Sequence, residues 1–131
     1  GKSDFAPTDR QREDLEICTR LYSGYTQMWR ADRPALARAI DRSVRFLRGE
    51  CTIEKYHYEK VFKAIRARLI KFQNPKFRKG DLATMHIMGK KSIVFCTSDV
   101  YITEKGEIAN KWVCPDNTIR EVSQDIPGKR L

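Results

Sequence analysis

Apolar residues follow two regimes along the chain. Up to about residue 72 they recur at three- and four-residue steps. Leu15, Cys18, Leu21, Tyr22, Tyr25, Met28 and Trp29 form the first series, which predicts an amphipathic helix over about 9–30. Thr8 precedes it as N-cap, and Asp9, Glu13 and Asp14 favour its early turns through the helix dipole. Gly24 weakens this helix and marks a candidate kink. The seven residues before Thr8 have no period and read as an unpacked arm. A second helix opens on Asp32 as N-cap with Pro34 in its first turn. It carries Leu36, Ile40, Val44 and Leu47 on one face and stops at Gly49. A third runs from a Thr52 cap to about Phe72, with Tyr58, Val61, Phe62, Ile65, Leu69 and Phe72 as its stripe. Three such helices can pack as a small bundle.

Beyond Gln73-Asn74-Pro75 the helical spacing stops. Short β-branched or aromatic runs follow: Leu82–Met88, Ser92–Thr97, Val100–Thr103, Glu107–Cys114 and Thr118–Val122. Gly89, Lys105-Gly106 and Pro115-Asp116-Asn117 punctuate them as turns. Five strands in so short a span predict a small antiparallel barrel. The expected fold class is α+β, with a three-helix segment over 1–76 and a five-stranded antiparallel barrel over 77–131.

The segments Phe77-Arg78-Lys79-Gly80-Asp81-Leu82, Ser92-Ile93-Val94-Phe95 and Trp112 to Val122 carry a resemblance. Their order resembles the strands of SH3-like barrels of the Tudor or KOW type, which often open on a Gly-Asp pair and close on strand, acidic-polar turn, strand. Gly89-Lys90-Lys91 departs from the KOW pattern by lacking its second glycine. The resemblance covers 77–131. It implies an SH3-like barrel and a binding module, since such barrels bind DNA, RNA, methylated side chains or other proteins.

Charge changes the picture most. The chain has 131 residues and a formal net charge of +9. Residues 33–91 hold 16 basic and 5 acidic side chains, a net of +11, while 1–32 and 92–131 each hold 5 basic and 6 acidic, a net of −1. A local positive field attracts polyanions. At its centre, Arg38, Arg42, Arg45 and Arg48 gather on the polar face of the second helix, a row of guanidinium forks suited to phosphate. Lys60, Lys63, Arg66, Arg68 and Lys71 extend the field along the third helix, and Lys76, Arg78 and Lys79 along the linker. Lys90 and Lys91 fall in a predicted hairpin within reach of a backbone. Glu59 spaced four from Lys63 is an ordinary stabilising pair, so part of this charge is structural. The expected function is non-catalytic nucleic-acid binding, to DNA or RNA, in a role such as transcription regulation. An interaction module docking on an acidic protein uses the same cations and stays open as an alternative, and so does a small nuclease.

Other chemistry finds less support. A helix-turn-helix across Gly49-Glu50-Cys51 would make the third helix the reader, but Glu54 and Glu59 would repel phosphate there. Phe95, Tyr101 and Trp112 are the aromatics available for a cage or a base-stacking platform, with Trp112 read by default as core. Cys51 with His57, and His86 with Cys96, match no zinc spacing. Gly89-Lys90-Lys91-Ser92 resembles the end of a phosphate loop, but Thr84 stands where its first glycine belongs. Pro115-Asp116 lacks the Glu-x-Lys of a nuclease centre. No cofactor, metal or catalytic residue is expected. Cys18, Cys51, Cys96 and Cys114 form no CxxC pair, Gly1 to Arg12 is polar, and no apolar run is long enough to span a bilayer. The expectation is therefore an intracellular, cytoplasmic protein with reduced thiols and no membrane partner.

Overall fold

A computed structural model describes residues 5–22 and 27–131. Gly24 and Tyr25, and the side chains of Met28 and Trp29, lie outside that description. Four helices precede five strands: α1 (Asp9–Leu21), α2 (Gln27–Asp32), α3 (Pro34–Leu47), α4 (Lys55–Gln73), β1 (Leu82–Ile87), β2 (Lys90–Cys96), β3 (Tyr101–Ile102), β4 (Ile108–Val113) and β5 (Ile119–Ser123). The fold is mixed α+β. It divides into a helical unit, which runs to Ile70 and includes the turn Glu104–Gly106, and a β unit formed by Lys71–Thr103 and Glu107–Leu131.

In the helical unit, Thr8 caps α1 as expected. Its hydroxyl accepts from the Gln11 amide at 3.1 Å, and the Gln11 side chain accepts from the Thr8 amide at 2.9 Å. Such a reciprocal cap stabilises a helix by about 1 kcal/mol. Leu15, Cys18 and Leu21 form the buried face of α1. Arg12 lies 4.8 Å from the centre of the Phe46 ring and donates to the Leu47 carbonyl, tying α1 to α3. The arm before Thr8 is not unpacked where it is described, because Phe5 sits against Tyr58 with ring centres 5.5 Å apart.

Three further expectations need correcting. The single helix over 9–30 is two helices, α1 and α2. The α3 cap position belongs to Arg33, and Asp32 is the last residue of α2. The reason is Pro34: its ring disfavours helical backbone in the residue before it, and Arg33 takes φ −128°, ψ 62°. The third predicted helix starts at Lys55, not at a Thr52 cap. The Glu54 carbonyl accepts from the Tyr58 amide at 3.2 Å, and the His57 ring nitrogen accepts from the Glu54 amide. Gly49 does end α3: at φ +78° it donates to Phe46, while Glu50 donates to Arg45, a paired C-terminal closure.

Gly106, also at φ +78°, belongs to the helical unit. A Cβ there would lie 2.5 Å from the Leu21 carbonyl oxygen, so only glycine fits. Arg68 donates to the Leu21 carbonyl at 3.0 Å and to the Gly106 carbonyl. A cation thus meets the unsatisfied carbonyl end of α1.

In the β unit all pairings are antiparallel. β1 and β2 form a hairpin over the two-residue turn Met88-Gly89, both at positive φ, as tight hairpins require. Lys90 and Lys91 lie in this hairpin as the first residues of β2. β5 pairs along the length of β4; the other edge of β4 takes β2 at Val113 and Trp112 and β3 at Ala109 and Ile108. The sheet is open, with order β1-β2-β4-β3 and β5 on β4, so the expected closed barrel is not formed by these strands. One physical reason is β3, only two residues long. Phe77, Ala83, Met85, Val94, Cys96, Trp112, Cys114 and Val122 make the core, with Trp112 edge-on to Phe77 at 5.3 Å. Buried Gln124 accepts from the Lys76 and Phe77 amides at 2.7 and 3.1 Å, and donates to Phe77 and Asn110. Those bonds hold the chain entering the sheet.

Candidate functional site

α3 presents the arginine row, but its members are not equivalent. Arg42 is half-buried: its Nε donates to the Thr52 carbonyl at 2.7 Å and its Nη2 to the Thr52 hydroxyl at 3.4 Å. It fastens the loop between α3 and α4. Arg45 lies 3.7 Å from Glu50 in an exposed pair. Asp41, on the same side of α3, is paired with Arg30 at 2.5 Å. Arg38 and Arg48 are exposed and form no ion pair among the described residues. Two of the four forks are therefore open to a ligand without breaking a contact.

A second concentration of charge lies at the other end of α3. A groove of about 600 Å³ is lined by Asp32, Arg33, Pro34, Ala35, Leu36, Lys60, Lys63 and Ala64. It brings Lys60 and Lys63 of α4 to the first turn of α3. That turn contains no acidic residue, and its cap has no side-chain bond. Pro34 has no amide hydrogen, so the amides of Ala35 and Leu36 are the next donors at this end. Arg33, Lys60 and Lys63 form no ion pair among the described residues, and Asp32 is the one acid in the lining. Lys60 also lies 5.8 Å from the centre of the Tyr56 ring. Arg33 was missed in the sequence. Its signal was a basic residue directly before a helix-starting proline, where an acid or a hydroxyl is usual.

The remaining predicted cations are exposed but dispersed. Arg66 lies one turn beyond Lys63 on α4. The α4–Glu59 pairing is made by Lys55, at 3.8 Å, and not by Lys63. Lys71, Lys76, Arg78, Lys79, Lys90 and Lys91 belong to the β unit. Lys76 lies over the Phe77 ring at 5.2 Å. The Arg78 amide donates to the Asp81 carboxylate at 2.9 Å, so the Gly80-Asp81 pair shapes the entry to β1.

The nucleophile and metal candidates have structural surroundings. All four cysteines are free thiols. Burial, aided by the Asp14 charge, pushes the Cys18 thiol up to about 12, which leaves almost no thiolate at neutral pH. Burial likewise raises Cys96. The ring nitrogen of His57 is used on the Glu54 amide. Among the described residues no three His, Cys, Asp or Glu side chains gather as metal ligands would, and no helix is long and apolar enough to cross a membrane. Trp112 is fully buried and cannot stack on a base; the half-exposed ring on the sheet is Phe95.

No family model matches the chain, and neither a curated protein nor a solved structure matches it.

Proposed function

We propose that this chain is a non-catalytic nucleic-acid-binding protein that holds the phosphate backbone through its helical unit. The observation that carries this reading is the groove at the start of α3, where Arg33, Lys60 and Lys63 converge against a single carboxylate. Three cations with no ion pair among the described residues repel one another unless an anion enters. A phosphate between them relieves that repulsion and meets the positive end of the helix. Arg38 and Arg48 extend the contact along α3 with groups that fork onto phosphate oxygens. These are backbone contacts and confer no base preference by themselves.

The β unit is read as the SH3-like companion of this site. What supports that likeness is the return of the C-terminal residues to β1: Arg130 bridges Ala83, and the Leu131 amide donates to the Leu82 carbonyl at 2.8 Å.

The test is binding of generic duplex DNA and of single-stranded RNA as salt is raised. Affinity should fall with a log–log slope near −0.9 for each duplex phosphate neutralised. Lys60→Glu combined with Lys63→Glu should weaken binding roughly tenfold or more at about 50 mM salt and flatten the slope by about two. No binding to either nucleic acid by the unaltered protein at that salt would sink the reading.

A further inference from the structure

The β unit turns one face of its sheet inward onto Trp112, and part of the other face is exposed. The register shows what that face carries. Leu82 pairs with Phe95, Phe95 with Val113 and Val113 with Ile119, so four apolar side chains form a row across β1, β2, β4 and β5. Residues opposite one another in antiparallel strands point to the same side, and so do residues two apart. Ile93 therefore stands beside Phe95 on this face. Leu82, Phe95, Ile93 and Ile119 are all exposed, the last two at 58% and 64%. By the same parity Lys91 and Lys111 border the row, and both are exposed. The one acid at these outward positions, Glu121, stands opposite Lys111 in the register and accepts from the Tyr101 hydroxyl at 2.5 Å.

We propose that this face is a second binding site, separate from the helical groove and not dependent on it, and that it takes an unpaired nucleic-acid strand. The bases lie on Phe95 and Ile93, and the phosphates meet Lys91 and Lys111. Three arguments select this occupant. The face combines an apolar floor with a cationic border, which complements a ligand that is apolar in its base faces and anionic along its backbone. A duplex does not fit, because its base faces are stacked inside and only an unpaired strand presents them. A second copy of the chain fits poorly. A two-fold contact through this face would bring the Lys91 and Lys111 of both copies into one interface.

The experiment uses the full chain with labelled oligo-U and oligo-dT, and a duplex of equal length as control. Phe95→Ala should weaken single-strand binding roughly tenfold and leave duplex binding unchanged. Phe95→Trp keeps a ring and should retain affinity, with the new indole fluorescence quenched when bases stack on it. Lys91→Glu with Lys111→Glu alters only exposed charges, so it carries the same test if Phe95→Ala fails to fold. It should lower single-strand affinity and its salt slope. Equal oligo-U affinity in all three variants and the unaltered protein would overturn the proposal. So would a dimer of the unaltered protein that Phe95→Ala converts to monomer, since a second copy would then be the occupant. Because Lys60→Glu/Lys63→Glu leaves this face intact, loss of the groove reading and loss of this one are read separately.

Discussion

Arg42 and Arg68 carry the same charge as Lys60 and Lys63, and all four belong to the helical unit. Their surroundings divide them. The two arginines donate to main-chain carbonyls, Arg42 to Thr52 and Arg68 to Leu21 and Gly106. The two lysines line a groove whose one acid among the described residues is Asp32. A guanidinium near loop carbonyls finds fixed acceptors in the fold; an ammonium on an exposed helix face next to another cation does not. Net charge therefore overstates what a ligand can use. The available field is the part left after the fold has taken its own hydrogen bonds.

That division can be broken by mutation, and the effects should fall in a definite order. Arg68→Ala removes a half-buried cation from two carbonyls and should cost about 2 kcal/mol of stability, read by urea unfolding, with nucleic-acid affinity of the folded fraction unchanged. Arg42→Ala should cost about 1 kcal/mol by the same measurement, since its site is more open, and shift affinity less than twofold. If Arg42→Ala instead weakens binding as much as Lys63→Ala while leaving the melting curve in place, the distinction between the two sets collapses. Smallest is the counterpart on a carboxylate. Asp116 accepts from the Thr118 hydroxyl at 2.6 Å and from its amide at 3.0 Å, and these bonds hold its pKa below the ordinary 3.8. A lowered folded pKa gives stability that is fully present above the unfolded value and is lost as pH falls through the folded one. Asp116→Asn should therefore flatten the acid limb of the stability profile below about pH 4, lower stability slightly at pH 7, where the ionised carboxylate contributes in full, and leave the most acidic end of the profile unchanged.

The strands were legible because turn residues bracket them: Gly89, Lys105-Gly106 and Pro115-Asp116-Asn117 each fall where a strand ends. The helix stripes were legible for the same local reason, a fixed angular step. What failed depends on contacts between distant residues. The Thr8 cap could be read because its partner is three residues away, whereas Thr52 reads equally well as a cap and is instead an acceptor for Arg42. The open sheet follows from which edge of β4 each strand joins, and alternation does not encode that. In the site, the arginine row came from wheel geometry, but the groove needs the start of α3 and a face of α4 brought to one lining, which no local pattern encodes. The sheet face was hidden because Ile93-Val94-Phe95-Cys96 is apolar at both parities, so the sequence did not say which pair looks outward.

The Gly106 turn bears on how the chain folds as it is synthesised. Arg68 and Gly106 are 38 residues apart, and most of the chain between them builds the sheet. The helices can be fully translated while the carbonyl that Arg68 needs has not yet left the ribosome. Closing that loop carries an entropic cost that grows slowly with its length. The helical unit is thus discontinuous in time as well as in sequence: its contact at Gly106 can form only after the residues between have been made.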